Sequence, residues 1–397
     1  MLKKNSVFHL IGLRIVLALL MFAPLAQLCH AGDKLDIDSL EMVLESLSGS
    51  RSNIGRDTTM VEVLNLLCWT YRLSDPTKAK EYGKQSLELA KNIEVRSTKG
   101  WTFGIAKCLS NLGIVYEFEG NIQKAIEYYN QSIELYRELG NDEGVANNLN
   151  NLGAVSFYQG DYNQAIDYWY RALKIQEELG NIHGVANCLN NLGHVYRRQG
   201  DTEKAIELYV RSMEIDEEAG NKEGLAHSLN NLGNVYKGLG DFTKATDYYQ
   251  KSLKLKQETG NKSGIASTLN NLGLVYAEQN NFKKAMSAYN QSLAIENELG
   301  NQMGIAISLA NIGELYLVKG MTNSSKGDIK IGIDNLMQGL GIIDGAGDKY
   351  LMHILYENLA TAHRELGDFE KAYEYYVLFS ELKDNLFNEE KSKDIGK

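Results

Sequence analysis

Asn191-Leu-Gly-His-Val-Tyr-Arg-Arg-Gln-Gly-Asp-Thr-Glu-Lys-Ala-Ile-Glu-Leu-Tyr-Val-Arg-Ser-Met-Glu-Ile-Asp-Glu-Glu-Ala-Gly-Asn-Lys-Glu-Gly-Leu-Ala-His-Ser-Leu-Asn230 is one copy of an internal repeat. Other copies begin at Asn111, Asn151, Asn231 and Asn271, so the period is 40 residues, and Asn311-Ile-Gly keeps the register. Repetition at this period marks an array of helical or stranded units, each burying its apolar face against its neighbours. Leu189, Leu192, Val195 and Tyr196 form the stripe of an amphipathic helix that stops at Gly200. Asp201 can cap a second helix, whose apolar positions are Ala205, Ile206, Tyr209, Met213 and Ile215 and which ends at Gly220. Gly193 and Ala205 remove side-chain bulk where the two helices cross, and the pair returns as Gly113/Ala125, Gly153/Ala165, Gly233/Ala245 and Gly273/Ala285. A helical Gly costs about 1 kcal/mol relative to Ala, so a Gly kept five times within one chain has a packing reason.

The order Leu, Gly, Tyr on the first helix and Ala, aromatic, Ala or Ser on the second resembles the tetratricopeptide repeat. In the copy at Asn151 the matching residues are Leu152, Gly153, Ala165, Trp169 and Ala172, with Ser156 in place of the usual Tyr. The family's commonest unit has about 34 residues. The copies here exceed it by about six, read as a longer second helix closed by Leu139-Gly-Asn141 or Leu179-Gly-Asn181. They resemble the extended subtype of kinesin light chains and of the extracytoplasmic sensor region of bacterial repeat-containing signalling proteins. The resemblance covers Val61 to Leu386 and implies an all-α fold: an α-solenoid, a right-handed superhelix of about eight stacked antiparallel helix pairs.

From the start of the chain, Lys3 and Lys4 precede the apolar run Ile15 to Leu25, and Cys29-His-Ala31 supplies small residues before a cleavage point. Residues 1–31 therefore read as a secretory signal peptide, too short and too interrupted by Pro24 for a spanning helix. Its removal takes three cations and no acid, so the mature chain is more acidic than the −10 of the whole sequence, which disfavours nucleic acid as a partner. Residues 33–58 are expected to form a capping helix, Asp36 to Leu47, and a loop from Gly49 to Gly55. A degenerate repeat follows over 59–106, with Pro76 at the start of its second helix. Regular units are placed at 107–140, 147–180, 187–220, 227–260 and 267–300. A divergent unit takes 307–347, its seven extra residues 321–327 read as a loop between helices with Asp328 capping the next. A last unit takes 354–387, and 388–397 is the polar end of a C-terminal helix.

No catalytic signature stands out. Gly339-Leu-Gly-Ile-Ile-Asp344 imitates a dinucleotide fingerprint, but Asp344 occupies the third Gly position and no strand precedes it. His183, His194, His227, His353 and His363 lack the i, i+4 pairing of a zinc helix. The mature cysteines Cys68, Cys108 and Cys188 are odd in number and read as small buried apolar residues. The expectation is a protein that is not an enzyme and takes no cofactor and no metal.

In the resembled family the concave face is lined mainly by the first helix, six, three and two residues before the Gly and one, four and five after it. Carried onto this chain, those positions give a ladder of amides: Asn150 and Asn151, Asn190 and Asn191, Asn230 and Asn231, Asn270 and Asn271. An amide offers a donor and an acceptor together, which suits the backbone of an extended peptide. The first Asn of each pair leans toward a ligand, whereas the second serves either a ligand or the carbonyls of the neighbouring repeat. The flanking positions give an aromatic end at Phe118, Phe157 and Tyr158, a basic middle at His194, Arg197, Arg198, His227 and Lys237, then Leu274 and Ala277. Arg197 and Arg198 either face a ligand or pair with glutamates of the next second helix.

The leading expectation is an exported solenoid, periplasmic or secreted, that binds a peptide or protein segment as the sensor part of a signalling system. Leu382 to Gly396 resembles the segment that, in such bacterial sensors, leads into a coiled coil, so dimerisation through a C-terminal continuation is expected alongside it. The mature chain carries no expected membrane span. The alternatives are a free-standing scaffold for an envelope complex and the non-catalytic part of a truncated sensor kinase or cyclase.

Overall fold

The structure, a computed structural model, describes residues 37–50, 53–72, 74–96, 101–343 and 348–395, without the side chains of 386–395. The leader expected at 1–31 lies outside the described residues. Among the described residues the chain is helical throughout, with no strand, and within each unit successive helices pack against one another in antiparallel pairs. It divides into two compact units, one ending at Leu179 and one beginning at Gly180.

The first unit holds α1 (Ile37–Ser48) and three hairpins: α2 (Ile54–Tyr71) with α3 (Pro76–Arg96), α4 (Thr102–Phe118) with α5 (Ile122–Glu138), and α6 (Asp142–Tyr158) with α7 (Tyr162–Glu178). Leu40 and Val43 of α1 are buried against Val63, Leu67 and Tyr71, covering the apolar side of the first hairpin. Glu41 fixes the docking by accepting from the hydroxyls of Tyr71 and Tyr82 at 2.8 and 2.9 Å. The expected loop is shorter than read: α2 already starts at Ile54, because Asn53 accepts the N–H of Arg56 and caps it.

The second unit holds α8 (Ile182–Gln199), α9 (Thr202–Glu218), α10 (Lys222–Gly238), α11 (Phe242–Glu258), α12 (Lys262–Glu278), α13 (Phe282–Leu299), α14 (Gln302–Thr322), α15 (Lys326–Ile343), α16 (Lys349–Leu366) and α17 (Phe369–Ile395). α8, α10, α12, α14 and α16 are the first helices of their pairs.

One turn design joins the regular helices. Gly200 has φ of 85° and Gly220 has φ of 68°, and the same left-handed turn returns every twenty residues from Gly120 to Gly260. At 280 Asn280 takes its place with φ of 57°, the conformation that Asn tolerates best among side-chain-bearing residues. The residue after the turn closes one helix and opens the next. Asp201 donates its N–H to the Tyr196 carbonyl at 2.9 Å, while its carboxylate accepts the N–H of Lys204 at 3.0 Å. Asn221 does the same between α9 and α10, accepting from Gly224. Because an Asx cap opens both kinds of helix, the two are equal: α6 and α7 have 17 residues each. The length beyond the common unit is thus shared by both helices, and does not lengthen the second alone.

Inside each hairpin the notch left by the repeated Gly is filled by a ring. A Cβ added at Gly193 or Gly233 would stand 2.6 Å from the ring of Tyr209 or Tyr249, and Gly153 holds Trp169 in the same way. Serines tie the same crossing: Ser212 and Ser252, fully buried, donate to the carbonyls of Ala186 and Ala226 at 2.9 and 2.7 Å. The divergent pair α14/α15 has no such ring, and its backbones meet directly, a Cβ at Gly332 falling 2.8 Å from the Gly313 carbonyl. The seven extra residues there are not a loop throughout. Helix α14 runs on to Thr322, and only Asn323 to Ser325 turn, with Ser325 rather than Asp328 capping α15. Asp328 instead lies in the first turn of α15 and accepts from Lys319 at 3.0 Å.

Candidate groove on the first helices

In the second unit successive first helices touch, α8 with α10, α10 with α12 and α12 with α14, and among the described residues its second helices make no comparable contact. The first helices therefore line the inner face, the place expected for a groove.

The amide ladder runs along this face as a seam. Asn190 is only 9% exposed. Its Nδ2 donates to Ser212 and Ser228 at 2.7 and 2.9 Å, and its Oδ1 accepts from Asn231 at 3.2 Å. Asn230 accepts from Asn271 at 3.3 Å and from Thr268 at 3.4 Å, and Asn270, also 9% exposed, donates to Ser308 at 3.3 Å. The same bond occurs in the first unit, where Asn111 donates to Asn65 at 3.2 Å. At Asn190, Asn230 and Asn270 the first Asn of the pair thus differs from expectation: its amide is spent on the next repeat. The second Asn keeps the groove side. Asn231 and Asn271 are half-buried, each giving one N–H to the seam and leaving its carbonyl without a partner among the described residues. Asn191 is half-buried at the corresponding place, as are Asn150 and Asn151 in the first unit, where the Asn150 backbone carbonyl accepts from the Trp169 indole at 3.0 Å.

Arg197 and Lys237 are half-buried and Arg198 is exposed, and none of the three forms an ion pair among the described residues. The pairing with glutamates of the next second helix is absent. Burial lowers the Lys237 pKa, and the nearby Arg197 lowers it further while Glu278 opposes. His194 leaves the basic set: its ring stacks edge-on against Tyr209 at 5.7 Å, and burial together with Arg197 and Arg198 pushes its pKa down to about 4. Burial also lowers His227, helped by Lys256. The cationic part of the groove at neutral pH is therefore Arg197, Arg198 and Lys237.

In the first unit Phe157 is half-buried, packed against Trp169 and Tyr162 at 6.1 and 5.7 Å, so it serves the hairpin. Phe118 and Tyr158 stay exposed, the latter by 73%.

A feature without a repeat signature lies further along. Between α12 and α14 a cavity of about 350 Å³ is lined by Leu274, Ala277, Glu278, Tyr289, Asn311 and Glu314 among others, and beside it a second of about 400 Å³ includes Asn270, Asn271, Glu296 and Ile307. The protein around Glu314 raises its pKa, first by desolvation and then through Glu278 and Glu357. The residue positions could have been found by continuing the groove register past Leu274, since Glu278 and Glu314 stand five and one residues after their glycines.

Among the described residues no helix is long and apolar enough to cross a membrane, and no group of three His, Cys, Asp or Glu could hold a metal ion. Cys68, Cys108 and Cys188 are buried, as expected.

Models of the tetratricopeptide repeat match residues 106–139, 144–218, 224–298 and 354–386, together more than half of the chain. No curated protein sequence matches. Among solved structures, the apo form of the quorum sensor NprR from B. thuringiensis superimposes with a TM-score of 0.60 at 16% identity, over 96% of this chain and 99% of that one. A Rap protein complexed with Competence and Sporulation Factor gives 0.57 at 16% identity, over 89% and 93%. The apo form of RapI gives 0.56 at 19% identity, over 71% and 99%. At these identities the likeness is one of fold.

Proposed function

Because the chain belongs to the tetratricopeptide-repeat family, we propose that its first helices hold an extended peptide or protein segment, and that it works after export as the sensing part of a signalling system. The observation that carries this is the asymmetric seam. Asn231 and Asn271 each give one N–H to the neighbouring repeat and keep a side-chain carbonyl for the groove, an acceptor for the backbone of a bound segment. Arg197, Arg198 and Lys237, which form no ion pair among the described residues, supply a seat for a carboxylate, from a C-terminus or an acidic side chain. The likeness of fold to a Rap protein complexed with Competence and Sporulation Factor, and to a quorum sensor, supports a binding role for this surface. The leader pattern supports export, and nothing in the groove calls for a catalytic role.

Binding is tested on an array of random heptapeptides with free C-termini, probed with the chain from Gly32 onward. Binders are expected to lose about tenfold in affinity on C-terminal amidation or with Arg197→Glu, more steeply at low salt. A chain that retains none of the array, while melting cooperatively, would sink the reading. Export is tested separately by N-terminal sequencing of secreted material: Gly32 is expected first, and an intact Met1 in a membrane fraction would show an anchor.

A further inference from the structure

The rings that fill the glycine notches differ in what their hydroxyls meet. Tyr129 donates to Glu117 at 2.7 Å and Tyr249 donates to Asn234 at 2.8 Å, in each case a polar residue on the facing first helix. At Tyr289 the corresponding residues are Leu274 and Ala277, which offer nothing. Tyr289 is 1% exposed, and among the described residues no group hydrogen-bonds its hydroxyl. Its hydroxyl opens into a cavity rather than being sealed in the core, so it is offered to a group that enters there. The hydroxyl belongs to the wall of the 350 Å³ cavity between α12 and α14, with Leu274, Ala277 and Val318 as apolar walls and the carboxylates of Glu278 and Glu314 at its rim.

We propose that this cavity seats an ammonium group on an alkyl stem, the amino terminus or a lysine side chain of the peptide whose carboxylate lies at Arg197, Arg198 and Lys237. The proposal rests on the peptide-binding reading above and adds a direction to it. A primary ammonium has three donors, which two carboxylates and a tyrosine oxygen can accept, and its carbon stem fits walls that a hydrated metal ion would not. Glu314 fits the part: it is exposed, and desolvation, then the neighbouring carboxylates of Glu278 and Glu357, raise its pKa, a strain that a bound cation would relieve. Lys237 stands near Glu278, so the cationic and anionic seats adjoin along one face of α10 and α12. A peptide bound in both would run in one direction only.

The seat is tested without a peptide by nuclear magnetic resonance titration of the chain with n-hexylammonium and with n-hexanol. The amine is expected to shift Tyr289 and Leu274 signals saturably and to bind at least about tenfold more tightly than the alcohol. Glu278→Gln with Glu314→Gln is expected to remove that preference, and Tyr289→Phe to weaken the amine about threefold without touching the melting temperature. Equal binding of amine and alcohol, or a preference that survives both Gln substitutions, overturns the seat. Array binders then supply the second arm. Acetylating the amino terminus is expected to cost about tenfold where the peptide lacks Lys, and to cost nothing where a Lys replaces it. Binders indifferent to both changes leave the groove standing and refute the ammonium seat, whereas hexylammonium binding without any peptide binder keeps the seat and refutes the groove.

Discussion

Residues 231–270 and 271–310 follow one plan, with the same capping turns, the same Gly–Tyr notch and the same Asn pair, and yet one is closed where the other is open. In the first, Asn234 answers the Tyr249 hydroxyl at 2.8 Å. In the second, Leu274 stands at that place and a cavity remains. A second difference lies at the buried end of the second helix, where Lys256 and Glu296 are equivalent by one period. Glu296 is held by the Asn301 amide at 2.8 Å, whereas Lys256, 4% exposed, has Thr268 at 2.8 Å and no acid. The backbone of a repeat is thus set by the positions that recur, and its chemistry by the few that do not.

The largest expected effect tests the lysine. Burial pushes the Lys256 pKa down to about 8 from 10.5. Between those values the unfolded chain binds more protons than the folded one, so stability should rise as pH goes up through that window; the full cost of the buried cation is present below pH 8. Integrated, this is at most about 3 kcal/mol. Urea unfolding at pH 7 to 10 should show the rise in the parent chain and a flatter profile for Lys256→Met, with the variant more stable at pH 7.

Next come the shared notches. Gly233→Ala and Gly273→Ala should each destabilise by about 2 kcal/mol, because the new methyl meets a ring that the facing helix cannot withdraw. Unequal losses in thermal melts would mean that the cavity beside Tyr289 gives room, and would weaken the idea of one frame.

The seam can be split in a similar way. Asn190→Ala should cost about 1–2 kcal/mol of stability by stranding Ser212, Ser228 and Asn231, while Asn231→Ala should cost less stability and weaken peptide binding. Equal loss of stability from both would make the whole ladder a seam.

The smallest effect transplants one residue. Leu274→Asn should give Tyr289 the partner that Tyr249 has, raise stability by about 0.5–1 kcal/mol and lower hexylammonium binding, as read by melting and by titration. No gain in stability would show that the Tyr289 hydroxyl is already satisfied by solvent in the cavity.

The repeat, its helix pair and its capping residues were legible because each is a local matter. Gly200 and Asp201 carry their turn in the identity of two adjacent residues, and Leu192, Gly193 and Tyr209 announce their packing by spacing alone. What was misread depended on neighbours. Nothing in the sequence near Asn190 says that Ser212 and Ser228, one on the following helix and one on the helix after that, will take its amide. His194 counts as basic on paper, but burial first, and then Arg197 and Arg198 beside it, lower its pKa to about 4. The insertion at 321–327 was read as a loop from its Ser and Gly content, but Gly320 and Met321 continue α14, where the paired glycines Gly313 and Gly332 let α14 and α15 pack backbone to backbone.

By itself the sequence determined that this protein is a stack of helix hairpins, since a 40-residue period with a Gly notch and an Asx-capped turn has no other way to bury its apolar stripes. Only the tertiary structure decided which amides face the seam and which the groove, and that the second unit opens a cavity at Tyr289. Those outcomes turn on pairs of side chains far apart in the chain, such as Asn190 with Asn231 or Tyr289 with Glu314, and a hydrogen bond or its absence exists only once packing has brought both partners together.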